Sequence, residues 1–259
     1  MSSEGGPGLP PAGQLGRDGG DRVVRIAMWS GPRTVSTALM RSFGNRPDSV
    51  VVDEPLYAYY LARTDVDHPG RDEVIASMPT RWQQVLDELT SRPLPDGRSV
   101  YYQKHMTHHL LPEVDRSALA GLTHAFLIRD PRRLLASYAK VRARPVLADL
   151  GLEQQAEIYR TFGGPVIDAA DILRDPRAAL DALCGALGIG FDPTMLSWSA
   201  GPRPTDGVWA RYWYDTVWRS TGFGPYREPV GADLPADLEP LAAQCEPFYS
   251  ELAAHRLRP

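Results

Sequence analysis

Between positions 23 and 37 the chain reads V-V-R-I-A-M-W-S-G-P-R-T-V-S-T. Its first part, Val23 to Trp29, is a short β-branched and apolar run of the kind that fills a buried strand. Ser30-Gly31-Pro32 breaks the run, and Ser36 to Phe43 then reads as an amphipathic helix. A second apolar run, Val50 to Val52, stops abruptly at Asp53-Glu54-Pro55. Strand, turn, helix, strand opens a βαβ unit, and such units build parallel sheets. The junction also carries chemistry. A tight turn entering a helix gathers backbone N–H groups where the helix dipole favours anions. Arg33 adds a positive charge, and Thr34, Ser36 and Thr37 add hydroxyls, so this turn has the build of a phosphate cradle. It is not a Walker A loop: counted from Gly31, G-x-x-x-x-G-K-[ST] lacks its second glycine and its lysine. Alone, the stretch reads equally as a helix start whose Ser and Thr satisfy backbone donors.

Outward from this unit the same alternation continues. Tyr57 to Leu89 is polar, aromatic and helix-like, a lid or side layer, with Arg81 to Leu89 its clearest helix. Ser99 to Gln103 is a third strand, followed by the His-rich Lys104 to His109. Thr123 to Ile128 is a fourth and runs into Arg129-Asp130-Pro131, where Asp caps a helix and Pro takes its first position. That helix continues through Lys140. Leu152 to Phe162 is another, Val166-Ile167 a short strand, and Asp175-Pro176 launches a helix to Leu187. Gly201 to Gly231 is rich in Gly, Pro, Trp and Tyr without a period, and Asp237 to Leu257 closes the chain as a helix. The pattern predicts one α/β domain over 23–259 with an aromatic C-terminal loop.

Composition narrows the class. The 259 residues carry 28 basic against 32 acidic side chains, a net charge of −4, which gives no footprint for nucleic acid. Residues 1–22 are rich in Gly and Pro, with Leu9 and Leu15 as the large apolar residues after Met1, and are expected to form a disordered tail. They lack the apolar run of a secretory signal, and no uncharged stretch is longer than Ser117 to Ile128, which is too short to cross a bilayer. A cytoplasmic protein without membrane partners is expected, its Cys184 and Cys245 small buried hydrophobes. All but two of the basic residues, Lys104 and Lys140, are arginine, whose planar forks match phosphate geometry.

A second motif stands at the end of the fourth strand. Arg129 precedes Asp130-Pro131, and Ser137 follows eight residues after Arg129, about two helical turns along. The carboxyl end of a strand is where open α/β sheets bind ligands. In this order and on these elements, the two motifs together resemble the sulfotransferases that use 3′-phosphoadenosine 5′-phosphosulfate. The resemblance implies a three-layer α/β/α fold around a parallel sheet, like that of P-loop nucleoside triphosphate hydrolases. It implies that Gly31, Pro32, Arg33, Thr34, Val35, Ser36 and Thr37 hold the 5′-phosphosulfate, with Val35 standing where many members have glycine. Arg129 and Ser137 match the family's 3′-phosphate signature position by position. Arg219, Ser220, Thr221 and Gly222, in Trp218 to Phe223, look like a late loop that reaches the nucleotide in cytosolic members. The equally simple reading is that Trp209, Trp213 and Trp218 fill a core.

Sulfuryl transfer needs a base for the acceptor's proton and a cation near the leaving phosphate. Lys104-His105 falls where cytosolic members place a lysine and a histidine base, and His108 or His109 offers the same chemistry. No acidic or Cys companion at ligand spacing accompanies these histidines, so no metal is expected. Glu54 is the rival base and ranks slightly above His105, since some bacterial and carbohydrate-acting members use a glutamate at this point; the plainer reading has it pairing Arg33. Arg33 and Lys104 would then stabilise charge on the departing phosphate of adenosine 3′,5′-bisphosphate. The acceptor is expected to be a small hydroxyl- or amine-bearing molecule; the oligomeric state, a homodimer included, is left open. A kinase-like phosphoryl transferase is the runner-up, disfavoured by the missing Walker lysine, and a nucleotide-binding module without catalysis is the third reading.

Overall fold

The computed structural model describes residues 23–140, 142, 144–227 and 234–259. The expected tail over 1–22 lies outside the described residues, as do the last few positions of the aromatic loop. Five strands form the sheet: β1 (Val24–Ser30), β2 (Ser49–Asp53), β3 (Val100–Met106), β4 (Thr123–Ile128) and β5 (Val166–Asp168). They lie in the order β2-β3-β1-β4-β5, and every pairing is parallel. The chain leaves β1 toward β2 on one side and later crosses to β4 on the other. The carboxyl end of β1 is therefore a switch point, where such sheets bind ligands.

Both faces of the sheet are covered, which is why its strands are apolar on both sides. Ile26, Met28, Tyr102 and Leu127 face one layer, where Leu39, Met40 and Phe43 of α1 (Ser36–Gly44) and Tyr57 and Leu61 of α2 (Tyr57–Arg63) pack against them. Ala27, Trp29, Tyr101, Phe126 and Ile128 face the other, against Val85 and Leu89 of the helix Trp82–Ser91 and Ile158 of the helix Leu152–Phe162. Asp130 and Asp175 cap the helices Pro131–Tyr138 and Pro176–Ala186, each through a side-chain oxygen that accepts from a backbone N–H, with Pro in the first turn. Both cysteines are buried thiols.

Two boundaries differ from the sequence reading by more than two residues. β3 runs on through Lys104, His105 and Met106, past the Gln103 at which the apolar run ends, because the polar Lys104 and His105 find partners on neighbouring elements. The last helix spans Glu239–Ala253 instead of reaching Leu257. Beyond it the chain turns to β5, where the Leu257 N–H donates to the Val166 carbonyl at 2.8 Å and covers an edge that would otherwise stay unpaired. Among the described residues, no helix is long and apolar enough to cross a membrane.

Candidate active site

The turn between β1 and α1 is tightly constrained. A side chain at Gly31 would put its first carbon 2.8 Å from the Leu150 carbonyl oxygen, so only glycine fits. Thr34 points inward and its hydroxyl donates to the Gly31 carbonyl at 2.9 Å, closing the loop instead of facing solvent. Arg33 and Val35 both have φ near 60°, the left-handed region, so Val35 adopts at the helix cap a backbone that glycine adopts without cost. Pro32 and Ser36 are buried around this turn, and Thr37 lies half-buried in the first turn of α1.

Arg33, Ser137 and Arg129 converge here. Arg33 Nε donates to Ser137 Oγ at 3.1 Å, and Arg129 donates to the Arg33 backbone carbonyl. Arg133 joins them, its guanidinium held by the Tyr226 hydroxyl at 3.1 Å and the Arg227 carbonyl at 2.9 Å. Burial and then the nearby charges of Arg133 and Arg33 push the Arg129 pKa below the ordinary arginine range. Among the described residues, no carboxylate forms a salt bridge with Arg33, Arg129 or Arg133. Three guanidiniums gathered without a direct ion pair, with Asp130 and Asp168 only partly offsetting their charge at Arg129, make a site complementary to a polyanion.

A second, drier cluster lies one strand away. Register places Asp53 of β2 beside Lys104 of β3 on the face covered by α1. Glu54 follows Asp53 and by strand alternation would point to the other face. Its φ of 42° breaks that alternation, and its N–H donates to the Lys104 carbonyl at 2.9 Å. Both carboxylates thus reach the same ammonium: Lys104 Nζ lies 2.9 Å from Asp53 Oδ1 and 2.5 Å from Glu54 Oε1. The third N–H of Lys104 goes to the Tyr214 hydroxyl at 2.9 Å. Lys104 is 1% exposed and Glu54 8%. One cation shared between two carboxylates leaves the group with a net negative charge. Burial, only partly offset by Lys104 and reinforced by Asp53, raises the Glu54 pKa. Burial opposes the charge on Lys104, but Asp53 and Glu54 outweigh it and hold the ammonium protonated. Glu54 Oε2 faces His109 Nε2 at 4.0 Å.

The structure separates several residues that the sequence placed together. Glu54 pairs Lys104 and not Arg33, because its left-handed backbone turns it toward β3. All three N–H groups of Lys104 are engaged by Asp53, Glu54 and Tyr214, so the lysine holds the carboxylate and does not face the cradle. His105 lies on the opposite face of the sheet, stacked on Trp29 at 4.3 Å and bonded to Gln103 Oε1 at 3.2 Å, because consecutive strand residues alternate. Burial lowers its pKa to about 3. His108 is half-buried, and His109 stacks between Tyr57 and Tyr60 at 4.3 and 4.8 Å. Of the histidines named in the sequence reading, His109 is the one beside Glu54.

The segment Arg219 to Gly222 does not reach the cradle. Gly222 bridges Ser197, the Trp198 N–H donates to the Thr221 carbonyl at 3.1 Å, and Trp198 Nε1 donates to Ser220 Oγ at 3.1 Å. Asn45, at the carboxyl end of α1, holds the Ser197 carbonyl at 2.7 Å. A helix of this length is about 13 Å long, so the segment sits at the far end of α1 from the phosphate turn. Arg219 pairs with Asp215 at the surface. The late segment meets the site elsewhere, through Tyr214 at the carboxylates and Tyr226 at Arg133. No local sequence signal marks either tyrosine.

A family model described as a sulfotransferase domain matches residues 24–256. The chain belongs to the sulfotransferase family. Its sheet and flanking helices resemble the sulfotransferase domain of the Synechococcus PCC 7002 olefin synthase, with a TM-score of 0.55 and 18% identity over 95% of this chain and 100% of that one. In sequence this sulfotransferase chain is 38% identical over 237 residues to the branched-chain-amino-acid aminotransferase-like protein 2 of Arabidopsis thaliana, and 40% identical to the like-named protein 1. These alignments cover 89% of this chain but 41% and 42% of the relatives, so it spans about two fifths of their length. The aminotransferase-like name belongs to those longer proteins.

Proposed function

We propose that the domain transfers a sulfuryl group from 3′-phosphoadenosine 5′-phosphosulfate to a hydroxyl or amine of a small-molecule acceptor. The observation that carries this reading is the arginine cluster at the carboxyl ends of β1 and β4, in no salt bridge with any described carboxylate and one strand from a buried, lysine-held glutamate. The turn from Gly31 to Thr37 takes the phosphosulfate end, and Arg129 with Ser137 takes the 3′-phosphate. Arg33 touches Ser137 and lies between the two, where it balances charge on the phosphate that departs. Glu54 accepts the acceptor's proton at Oε2, the oxygen that Lys104 leaves open. The new S–O or S–N bond forms as the bridging S–O bond breaks, and that bond's electron pair stays on the phosphate of adenosine 3′,5′-bisphosphate. Lys104 acts on this step through Glu54, by keeping the carboxylate in place.

Calorimetry of the two nucleotides tests donor binding. Charged hydrogen bonds are worth roughly 1.5–3 kcal/mol each. With two such groups on the 3′-phosphate, adenosine 3′,5′-bisphosphate is expected to bind at least about 10²-fold more tightly than AMP. Arg129→Ala is expected to remove most of that advantage, and equal affinity of the unaltered protein for both nucleotides would contradict the assignment of Arg129 and Ser137.

Divalent cations separate this reaction from phosphoryl transfer, in which magnesium neutralises the developing charge. Arg33 and the α1 N-terminus supply that charge here. Turnover, found first by screening phenols, alcohols and amines with the sulfated donor, is expected to be unchanged by excess EDTA. Loss with EDTA and recovery with magnesium would move the protein to the kinase-like reading.

A further inference from the structure

The most heavily used hydroxyl in the site belongs to Tyr214, from the part of the chain with no sequence motif. Its proton goes to Asp53 Oδ2 at 2.6 Å, and its lone pairs accept from Lys104 Nζ at 2.9 Å and Trp209 Nε1 at 3.4 Å. That exhausts the capacity of a phenol, one donor and two acceptor sites. Tyr214 is 4% exposed. The segment that carries it is fixed at both ends by one carboxylate: Asp206 Oδ2 accepts from Arg41 of α1 at 2.7 Å and from Trp218 Nε1 at 3.0 Å. Between these points the chain passes Gly207, where any side chain would strike the Trp209 ring at 2.1 Å. The segment is therefore tied to the helix whose other end forms the phosphate turn.

We propose that Tyr214 is a positioning residue for the transfer reaction: by bonding Asp53 and Lys104 together it divides the lysine between the two carboxylates and sets where and how readily Glu54 takes a proton. This rests on the reading of Glu54 as the base. The hydroxyl spreads the charge of Asp53, and so limits the hold of Asp53 on Lys104. Without it the ammonium moves toward Asp53, and Glu54 loses compensation in a dry site. The groups facing Glu54 are Asp53 of β2, Lys104 of β3, Tyr57 of α2, His109 after β3, and Tyr214. Burial keeps His109 neutral and Tyr57 a phenol, so the ammonium and Asp53 are the charges that respond.

The experiment is a titration of the Glu54 carboxyl by NMR in protein labelled with ¹³C at glutamate side-chain carboxyls, the Glu54 resonance being assigned by its loss in Glu54→Gln. No acceptor is needed. Tyr214→Phe is expected to move the Glu54 midpoint upward, whereas Asp53→Asn, which leaves Lys104 to Glu54 alone, moves it downward. Affinity for adenosine 3′,5′-bisphosphate is expected to stay within about twofold, and turnover in the acceptor screen to fall roughly 10–10²-fold, as for small misplacements of reacting groups. A Glu54 midpoint that does not move in Tyr214→Phe overturns the proposal, as does a loss of turnover matched by loss of bisphosphate affinity. Should Tyr214→Phe not fold, the unaltered protein labelled at tyrosine Cζ gives the same answer. Tyr214 is expected to report the Glu54 midpoint, and a resonance flat across that range overturns the proposal. Full turnover in Glu54→Gln would instead sink the reading of the base, whatever the tyrosine does.

Discussion

Glu54→Gln is expected to lower turnover roughly 10²–10⁴-fold, the range for a positioned general base. The substitution keeps the side chain's size and its bond to Lys104 and removes the capacity to take a proton. Affinity for the donor is expected to hold or rise slightly, since a negative charge near an anionic ligand is gone. His105→Ala is expected to cost far less, because the imidazole stacks on Trp29 across the sheet from Lys104. The pH profile carries the sign. The base acts when deprotonated, so activity should rise with pH through the Glu54 pKa, which burial places above the ordinary carboxylate value. A limb near pH 6.5 that survives in Glu54→Gln would return the role to a histidine. Loss of donor binding with unchanged turnover of bound donor would make Glu54 structural.

The second large effect is on stability in mild acid. His105 and His109 are 1% and 2% exposed, and burial lowers the first pKa to about 3 and the second well below 6.5. Below pH 6.5 the unfolded chain takes up protons at both positions while the folded chain does not, so stability falls as pH falls. His105 contributes about 1.4 kcal/mol per pH unit once past its unfolded pKa, or roughly 2 kcal/mol between pH 6.5 and 5, and His109 adds to the loss in the same direction. Glu54 acts with the opposite sign, binding its proton more readily when folded. Against a typical total of about 5–15 kcal/mol, this loss is large. Urea midpoints are expected to drop from pH 7 to 5, and His105→Phe, which keeps the stack on Trp29, should remove part of the slope, the rest coming from His109 and the other histidines that burial holds neutral. A flat profile would mean that these histidines gain protons without unfolding.

The strands and capped helices were legible because their signals are local: apolar runs, Asp-Pro starts, and a Gly at the one turn where a side chain meets Leu150. Arg33, Arg129 and Ser137 were legible as one site because each lies at a strand end or one helix away from it. Lys104 and His105 were not separated, since which of two adjacent residues faces α1 depends on register against β1 and β2. The Asp53–Glu54 pair was visible as sequence but not as geometry, because nothing local announces that Glu54 leaves the extended backbone. Tyr214 lies 110 residues from Lys104, within a stretch whose aromatic residues have no period. The place of Arg219 to Gly222 was not legible either, because Asn45 and Ser197, distant in sequence, draw that segment to the other end of α1 from the phosphate turn.

Arg33, Val35 and Glu54, the three described residues other than glycine with left-handed backbones, all stand in this site. Each such conformation costs roughly 1–2 kcal/mol relative to a relaxed residue. Selection for heat resistance alone would therefore drift toward glycine or asparagine at these positions; at Val35 that change is compatible with the phosphate turn, but at Arg33 and Glu54 it would remove the cradle's charge and the base. A hardened version of this domain has to be sought at Val35 or on the solvent faces of the outer helices, with Arg33 and Glu54 held fixed.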